Sequence, residues 1–600
     1  MRGPAPELRL SGGRLDVRWP DGGTALRDVR AVCRVLGREG PTQHVGGPWR
    51  RAAEGFRARC GPLEITLIVG GGRGALELRF EATAVDLVRA RELGLRATPE
   101  LGGGPPEWLL HLGYQSWDAA GVATFQANAR SWWTCGLANA AGAGIALAAG
   151  GATRHATRFD AADGTIAWLQ VAPEGGPGEA WMAQTGSRFA SEPVLVSAAS
   201  DVQAELGRLT TRGRRRGRPP RGWLSWYHLG PWVDTEAMLA NSALVAEGVI
   251  PGLEAAVIQL DDGWQTAYGD WAPNAKFRDL AGMCATIRDR GQTPGVWTAP
   301  FLVSASSDLD AKAPETWFVR DEKTGARLVD DRHVVFGPMH VLDARVPAVR
   351  AHLERVFREL RELGFGYFKI DFLYAGAYVG LDAFRSGLRA IRRGCGRDAY
   401  LLACGAPLLP VVGIADGCRI GPDTCTPLFN PEAGGPEPTV FGDEIQNVAR
   451  NLAAARQLRG WFDIDADVAL AGGNLTAGQA RQLLTLVALS GGLYFVSDDL
   501  TQLARERLAS LANPELTALL DGAPAAAAWE PGSHDAAPSV WRRRDGVTAL
   551  YNWGAAPVWR AVRTASGDAA VDLWDGSVIS SSGGVIEVEV EPGDVRLLRA

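Results

Sequence analysis

Between residues 222 and 500, short apolar stretches of strand length alternate with patterns typical of helices, and this alternation constrains the fold most strongly. The clearest helical pattern begins at Pro347 and ends before Gly364, with apolar residues at helical spacing between them. Eight strand-like stretches occur in order, at 222–227, 255–260, 295–298, 367–372, 400–404, 417–420, 461–464 and 493–497. Eight strand and helix units over roughly 300 residues predict a (β/α)8 TIM barrel, lengthened by insertions such as 301–342.

The regions on either side of the predicted barrel have a different pattern. Residues 1–210 contain short alternating strands separated by Gly and Pro, which predict an N-terminal β-sandwich domain. An Arg/Pro linker covers 211–221, the catalytic barrel 222–520, and a small C-terminal antiparallel β domain 529–600. The sequence therefore predicts a multidomain protein with three folded units.

The composition of the 600 residues excludes several classes of function. The net charge is −6, and the six arginines of the linker lack interleaved aromatic residues, so no nucleic-acid partner is expected. Only four lysines occur, and none follows a glycine, which excludes a phosphate-binding P-loop. No apolar stretch has the length of a signal peptide or membrane span, so we expect a cytoplasmic protein without a membrane partner.

The cysteines and histidines suggest no metal site or other cofactor. Eight cysteines are scattered through the chain without a Cys-x-x-Cys pair, and they are expected to be buried free thiols. The eight histidines are isolated, and no His-Glu-x-x-His motif occurs. We therefore predict that the chain works with no cofactor.

Carboxylates follow several of the predicted barrel strands. Asp261 and Asp262 follow the second strand, Asp371 the fourth and Asp423 the sixth. Each alone could be a helix cap or a turn residue. Because the carboxyl ends of barrel strands meet at one mouth, all four are expected to converge there. Three tryptophans, Trp226, Trp264 and Trp297, are expected nearby.

Two carboxyl groups that face one pocket can divide the work of glycoside hydrolysis between them. Asp371 is the better candidate nucleophile, because Lys369 two residues earlier projects from the same strand face and favours the ionised form. Asp423 lies in the loop Arg419-Ile-Gly-Pro-Asp423, and its pKa would have to rise toward about 6 for it to act as an acid.

The same stretches resemble the α-galactosidases of glycoside hydrolase family 36. The motifs are Lys369-Ile-Asp-Phe372, Leu260-Asp-Asp-Gly-Trp264, Leu401-Leu-Ala-Cys-Gly-Ala-Pro-Leu-Leu-Pro410 and Arg419-Ile-Gly-Pro-Asp423, and Gly113-Tyr-Gln-Ser-Trp117 resembles a motif of that family's N-terminal domain. Cys404-Gly-Ala-Pro stands where larger members have Cys-Ser-Gly-Gly, so the chain is similar to the shorter subgroup. The oligomeric state is left open.

The resemblance implies a retaining exo-α-galactosidase acting on α-galactosides such as galacto-oligosaccharides. It implies Asp371 as the nucleophile and Asp423 as the acid/base. It also implies a set of substrate-binding residues around the galactose: Asp261 and Asp262 at O4 and O6, Lys369 and Arg419 at the ring hydroxyls, Trp297 and Phe372 as apolar walls, Cys404 near C2, and Trp226, Tyr227 and Trp264 shaping the pocket.

Other functions stay open at this point. On the same fold, the chain could be an α-N-acetylgalactosaminidase or an α-galactosyl transglycosylase. Lys369 could instead form a Schiff base in an aldolase-type barrel, or the chain could bind sugar without catalysis. Trp117 could reach the barrel mouth from the N-terminal domain or could be buried in the sandwich.

Overall fold

The computed structural model describes residues 6–37, 40–72, 75–125, 128–172, 181–210, 217–332, 337–430, 435–440, 443–528, 536–563 and 569–600. In the first 200 residues, two antiparallel sheets face each other across an apolar core. The strand Gly55–Cys60 shows why, since Phe56, Ala58 and Cys60 point inward while the alternate residues are more exposed. This alternation produces the layered β-sandwich that the sequence predicts.

Each sheet of the sandwich pairs strands that are distant in the chain. In spatial order, the first sheet contains Glu7–Ser11, Arg14–Arg18, Ala25–Gly37, Val88–Glu100, Thr165–Val171, Ala156–Ala162 and Ala129–Trp132, with Gly40–Val45 beside the third strand and Trp181–Ala183 beside the fourth. The second contains Gly121–Thr124, Trp108–His111, Thr134–Ala138, Gly144–Ala149, Val194–Ala199, Ala75–Ala84, Leu63–Gly72, Gly55–Cys60 and Arg50–Ala52, with Arg188–Ala190 beside Ala75–Ala84.

The N-terminal region ends in a helix that the strand pattern does not predict. This helix, Val202–Thr210, buries Leu206 and Leu209. Its last residue, Thr210, donates a hydrogen bond from Oγ1 to the carbonyl of Gln457 at 3.1 Å. The helix therefore joins the sandwich to the following domain through both apolar packing and a hydrogen bond.

Part of the predicted linker, residues 211–216, lies outside the described residues. The last predicted linker residue, Arg221, is also the first residue of the strand Arg221–Leu224, and the linker bounds stay a prediction. Arg218 and Arg221 both form ion pairs with Asp521. These arginines therefore bind the protein's own carboxylate.

The central sheet is parallel, and its strands lie at the eight predicted places. We label them β1 to β8: Arg221–Leu224, Val257–Leu260, Thr293–Thr298, Tyr367–Ile370, Tyr400–Ala403, Gly417–Arg419, then β7 in two pieces, Asp463–Asp465 and Val468–Ala469, and β8, Tyr494–Val496. Each strand pairs with the next, and β8 pairs with β1. The first piece of β7 pairs with β6, and the second piece pairs with β8. The series of paired strands therefore begins and ends on the same segment of the chain.

Helices connect most of these strands. The connecting helices are Trp226–Leu229, Thr235–Ala246, Leu280–Asp289, Asp308–Lys312, Pro347–Glu362, Leu381–Cys395, Glu444–Ala455 and Ala477–Ser490. Two more helices, Arg505–Leu511 and Pro514–Ala518, follow β8. The expectation of a helix after every strand is wrong between β5 and β6, where the described segment 404–416 holds only the 3-10 turn Leu409–Val411. Prolines at 407 and 410 and glycines at 405 and 413 disfavour a longer helix there.

The end of the first predicted strand also differs from the prediction. The strand stops at Leu224, and Trp226 and Tyr227 begin a short helix instead of continuing the strand. The predicted helix over 347–363 is present as Pro347–Glu362, and it buries Val349, Leu353 and Phe357 on one face. The predicted insertion between β3 and β4 contains a small sheet of Leu302–Ser304, Met339–Val341 and Val329–Asp330.

The C-terminal region is antiparallel, as predicted. One sheet contains Ala526–Ala528, Val540–Arg542, Val547–Tyr551, Val595–Arg599, Ala569–Asp572 and Val578–Ser580, and Val558–Arg563 pairs with Val585–Val590. The strand Ala526–Ala528 belongs to this sheet, although the predicted boundaries leave it between domains. The boundaries themselves stay predictions.

The helices of the described ranges are unsuited to crossing a membrane. None of them combines the length and the apolar character that a membrane span requires. The cytoplasmic location stays a prediction.

Candidate active site

A cavity of about 340 Å³ opens where β2, β3, β4 and β6 reach their carboxyl ends. Residues from these strands and the loops after them form its wall, together with Trp226, which follows β1, and one side chain from the N-terminal sandwich. The lining residues are Trp117, Trp226, Asp261, Asp262, Trp297, Lys369, Asp371, Phe372, Pro422 and Asp423. The four carboxylates predicted from the strand ends therefore share one cavity.

Asp371 directly follows β4 and is held by two neutral donors. The indole N–H of Trp297 donates to Oδ2 at 3.1 Å, and the backbone N–H of Phe372 donates to Oδ1 at 2.8 Å. Phe372 adopts a left-handed backbone conformation with φ of 52°, which is uncommon for a bulky residue. Such strained residues cluster at functional sites. The two hydrogen bonds fix the orientation of the carboxylate while it remains on the cavity wall.

Asp423 lies on the loop after β6 and is bound by a buried arginine. The Arg419 guanidinium donates from Nη1 to Oδ1 of Asp423 at 2.9 Å. Its other nitrogens contact two carboxylates of β7, since Nε donates to Asp465 at 3.0 Å and Nη2 lies 2.6 Å from Asp467. Arg419 is 2% exposed, so one buried cation balances three carboxyl groups.

Asp467 occupies the break between the two pieces of β7. Its φ of 78° is left-handed, a conformation that Asp adopts more readily than most residues. Its Oδ2 accepts hydrogen bonds from the Tyr227 hydroxyl and from the backbone N–H of Thr424 at 2.7 Å. Thr424 is the residue after Asp423, so Asp467 anchors the loop that carries Asp423.

The environment of Asp423 raises the pKa of its carboxyl group to about 6. Burial among protein atoms is the largest cause, and the nearby charge of Asp467 adds to it, while Arg419 acts in the opposite direction. The side chain is 51% exposed and lines the cavity. Asp423 can therefore hold a proton in the weakly acidic range and still reach a ligand.

Asp261 and Asp262 follow β2 and have separate sets of donors. Asp261 accepts a hydrogen bond from Gln259 at 2.5 Å, and Lys369 lies 3.1 Å from the same oxygen. Asp262 accepts hydrogen bonds from the Tyr268 hydroxyl and from the Gln265 amide, both at 2.6 Å. Burial raises the pKa of Asp262 to about 6, while these two donors oppose the rise.

Lys369 projects from β4 toward Asp261. The ammonium group is 7% exposed, and burial by itself would lower its pKa. The charge of Asp261, with a smaller contribution from Asp371, outweighs burial and leaves the pKa above its ordinary value. Lys369 is therefore a positive charge on the cavity wall.

Aromatic rings enclose the carboxylates. Trp297 and Phe372 meet edge to face with their ring centres 6.0 Å apart. Trp117 meets Phe372 in the same way at 5.5 Å, and its indole N–H donates to the Cys404 sulfur at 3.3 Å. Gly405 makes room for this ring, because a Cβ there would lie 3.1 Å from Trp117. The N-terminal sandwich thus completes the wall of a cavity in the barrel.

Known proteins of solved structure match the chain over much of its length, although no family model matches it. The α-galactosidase from Thermus thermophilus, solved with stachyose, is 25% identical to it with a TM-score of 0.59. The match covers 79% of this chain and 99% of that one. The chain resembles α-galactosidases in structure. The sequence resemblance is thereby confirmed, as is the prediction that the chain is a glycoside hydrolase.

More distant structures extend the likeness in fold. The family 36 α-galactosidase from Geobacillus stearothermophilus, solved with 1-deoxygalactonojirimycin, is 13% identical with a TM-score of 0.59, over 100% of this chain and 90% of that one. A family 27 β-L-arabinopyranosidase from the same organism is 16% identical with a TM-score of 0.50, over 64% and 95%. At these identities the likeness concerns the fold alone.

Four of the predicted binding residues lie behind the lining of the cavity. Arg419 contacts Asp423, and Cys404 accepts the hydrogen bond from Trp117. Tyr227 is 2% exposed and binds Asp467, and Trp264 is fully buried with its indole N–H on the carbonyl of Trp297 at 2.9 Å. These side chains support residues that face the cavity.

Sequence reasoning missed several residues that shape the site. Asp465 and Asp467 follow the predicted seventh strand, so the strand-end rule that found the other acids could have found them. Tyr268 carries no comparable signal, because it reaches Asp262 from the hairpin Gln265–Ala267 and Asp270–Pro273. For Trp117, the sequence allows either the cavity or the sandwich core, and the structure places it on the cavity wall.

The described ranges contain no candidate metal site. No group of three or more His, Cys, Asp or Glu side chains in those ranges is arranged to hold a metal ion. All eight cysteines are buried free thiols, as expected.

Proposed function

We propose that the chain is a retaining exo-α-galactosidase that hydrolyses terminal α-galactosyl residues through a covalent galactosyl-enzyme. The observation that carries the proposal is the pairing of Asp371 and Asp423 in one cavity with different surroundings. Neutral donors orient Asp371, while burial and charge keep a proton on Asp423 in weakly acidic solution. A retaining glycosidase needs an ionised nucleophile and a protonated acid in this way.

In the first step, a carboxylate oxygen of Asp371 attacks the anomeric carbon of the galactose. Asp423 transfers its proton to the glycosidic oxygen as the bond from that oxygen to the anomeric carbon breaks. The leaving group departs as an alcohol, and the sugar is joined to Asp371 as a β-galactosyl ester. Asp423 is then ionised.

In the second step, a water molecule takes the place of the leaving group. Asp423 accepts a proton from this water as its oxygen attacks the anomeric carbon, and the ester bond to Asp371 breaks. Galactose leaves with the α configuration, and both carboxyl groups return to their starting states. Two carboxyl groups about 5 to 5.5 Å apart are expected for this mechanism.

The rest of the cavity supplies recognition of the sugar. We assign Asp261 and Asp262 to the O4 and O6 hydroxyls, and Lys369 to hydroxyls of the ring, because these groups are charged, oriented and on the wall. Trp297, Phe372, Trp117 and Trp226 offer apolar faces to the carbon atoms of the ring. Arg419 and Cys404 act indirectly, because Arg419 binds Asp423 and Cys404 accepts a hydrogen bond from Trp117.

The nature of the substrate is supported by the structural relatives. The Thermus thermophilus α-galactosidase was solved with stachyose and with p-nitrophenyl α-D-galactopyranoside. The proposal also includes the three-domain arrangement, with the catalytic (β/α)8 barrel in 222–520 between the sandwich and the C-terminal β domain.

The Schiff-base alternative loses support from the state of Lys369. An amine that attacks a carbonyl must be neutral, and enzymes achieve this by lowering its pKa. In this cavity the pKa of Lys369 is raised by the partner Asp261. Binding without catalysis also explains less, because it requires neither a protonated Asp423 nor the network that holds it.

The proposal is tested by hydrolysis of p-nitrophenyl α-glycosides of galactose, N-acetylgalactosamine and glucose. We expect the galactoside to be cleaved with the highest kcat/KM. A preference for the N-acetylgalactosamine compound would identify the alternative enzyme on the same fold. Failure to cleave any of the three would contradict the proposal.

A further inference from the structure

Two cysteines of the N-terminal sandwich lie side by side in its core. Cys33 is on the strand Ala25–Gly37 of the first sheet, and Cys60 ends the strand Gly55–Cys60 of the second sheet. Their sulfur atoms are 3.5 Å apart, although 27 positions separate the two residues in the chain. The pair therefore spans the two facing sheets.

The backbone near the pair holds the two strands together. Gly46 donates a hydrogen bond from its N–H to the carbonyl of Ala31 at 2.7 Å, and the next residue, Gly47, donates to the carbonyl of Arg59 at 2.8 Å. The accepting residues lie two positions and one position before the cysteines of their strands. Some Cα atoms of the two strands consequently lie within 8 Å of each other, compared with about 10 Å between facing sheets in general.

Hydrogen bonds also orient the two thiol groups. The Cys33 sulfur lies 3.4 Å from the carbonyl oxygen of Cys60, and the Cys60 sulfur lies 3.4 Å from that of His44. His44 is paired with Cys33 on the neighbouring strand Gly40–Val45. Joining the sulfur atoms at about 2 Å requires an approach of roughly 1.5 Å, which rotation of the side chains can supply.

The two thiols are enclosed by the core of the sandwich. Cys33 is 2% exposed and Cys60 is 0% exposed. An oxidant therefore reaches them when the two strands separate locally, and a bond formed there is shielded from reductants once the strands repack. Shielded structural disulfides of this kind resist reduction by glutathione.

We propose that Cys33 and Cys60 are a disulfide-forming pair and that their oxidation cross-links the two sheets of the sandwich. The oxidant is a low-molecular-weight disulfide such as oxidised glutathione. One cysteine thiolate attacks a sulfur of oxidised glutathione, forms a mixed disulfide and releases one glutathione. The other cysteine thiolate then attacks the protein sulfur of the mixed disulfide and releases the second glutathione. The two thiol protons pass to the released glutathione molecules, so two cysteines are oxidised and one oxidised glutathione is reduced.

The cross-link would act on the domain that contributes Trp117 to the cavity wall. A disulfide restricts the unfolded chain, so it stabilises the folded sandwich. Neither cysteine lines the cavity, so glycosidase activity is expected to stay the same after oxidation. The inference does not depend on the proposed function.

The test equilibrates the full-length protein with mixtures of reduced and oxidised glutathione. Urea is added at concentrations below the unfolding transition, so that the two strands can separate and repack. Free thiols are then blocked with iodoacetamide in denaturant, and tryptic peptides are identified by mass spectrometry. Cys33 falls in the peptide 31–34 and Cys60 in the peptide 60–73, so the disulfide joins these two peptides.

Two variants complete the design. Cys60→Ala removes one partner of the pair, and Cys135→Ala is the matched control, because it removes another buried thiol of the same sandwich. In the oxidising mixtures, we expect the linked peptides in the wild type and in Cys135→Ala, but not in Cys60→Ala. Oxidation should raise the unfolding temperature of the sandwich by roughly 5 to 10 °C in the two proteins that form the link, and dithiothreitol should reverse this rise.

Three results would contradict the proposal. Blocked thiols at both Cys33 and Cys60 in every mixture would overturn it. A link from either residue to a different cysteine, or to glutathione alone, would overturn it as well. A linked pair that leaves the unfolding temperature unchanged would refute the stabilising role of the cross-link.

Discussion

Asp371 and Asp423, which we propose as the nucleophile and the acid, line the same cavity but are held in different ways. Asp371 follows a strand, is 7% exposed, and accepts hydrogen bonds from the neutral N–H groups of Trp297 and Phe372. Asp423 lies on a loop, is 51% exposed, and is bound by Arg419 within a network of charges. The surroundings of Asp371 fix the orientation of its carboxylate, whereas the charges around Asp423 adjust the pKa of its carboxyl group.

This difference matches the different demands on a nucleophile and an acid. A nucleophile must point at the anomeric carbon, and the N–H groups of Trp297 and Phe372 fix the direction of the Asp371 carboxylate. An acid needs a pKa near the working pH, which opposing charges can set. For Asp423, burial and Asp467 raise the pKa and Arg419 lowers it.

The largest effect is expected when the proposed nucleophile is removed. Asp371→Ala should lower kcat for p-nitrophenyl α-galactoside by about 10⁴-fold or more, because the covalent step is lost. Added azide should restore some turnover and give a β-galactosyl azide, which NMR detects. A wild-type rate without azide would refute the assignment of Asp371.

Removing Asp423, the proposed acid, should have an effect that depends on the leaving group. Asp423→Ala should lower kcat/KM for melibiose by about 10² to 10⁴-fold, because the sugar alcohol needs protonation. The loss should be smaller for the nitrophenyl substrate, whose phenolate leaves readily. Equal losses on both substrates would show that Asp423 is not the acid.

Trp117, the side chain that the N-terminal sandwich contributes to the cavity wall, is expected to support Asp371 through Phe372. Trp117 packs on Phe372, whose N–H binds Asp371. Trp117→Ala should lower kcat/KM roughly tenfold through lost wall area and a looser carboxylate. Trp117→Phe keeps a ring and should lose less. Unchanged kinetics in Trp117→Ala would show that Trp117 only packs between the domains and does not support Asp371.

The smallest change in rate, but a specific one, is expected from the charge network. Asp467→Asn removes a charge that raises the pKa of Asp423, and it also leaves Arg419 less balanced. Both effects lower that pKa, so the acid loses its proton at a lower pH. From the pKa of Asp423, we expect the alkaline limb of the kcat/KM profile near pH 6 in the wild type and at lower pH in the variant.

A matched control for this change is Asp463→Asn. Asp463 lies on the same chain segment and accepts a hydrogen bond from Tyr400 at 3.1 Å, outside the Arg419 network. Its replacement should leave the alkaline limb in place. A shift of equal size in both variants would show a general disturbance of β7.

The order of the barrel strands and the acids at their ends were predictable because both depend on local patterns. Periodicity identifies a strand, and a parallel sheet brings strand ends together. The absence of an α-helix from the described segment between β5 and β6 was less predictable, because the alternation of strands and helices does not indicate where prolines interrupt it. Helix Val202–Thr210 was missed because it belongs to a region dominated by strands.

The site was predictable where a residue acts close to its own strand, and not where contacts cross the chain. Asp371 and Asp423 line the same cavity, as expected from the strand ends, whereas the hydrogen bond from Trp117 to Cys404 joins residues 287 positions apart. The role of Asp467 depends on a left-handed break inside a strand, which no periodicity indicates. Tertiary packing, rather than sequence pattern, places these groups.

The central claim is a double displacement at Asp371, and the configuration of the first product tests it most directly. Proton NMR of the anomeric signal during rapid hydrolysis of p-nitrophenyl α-galactoside identifies the anomer of galactose that forms before mutarotation. Two displacements predict α-galactose first, followed by slow appearance of the β anomer. Initial formation of β-galactose would contradict the account, because it requires a single displacement by water.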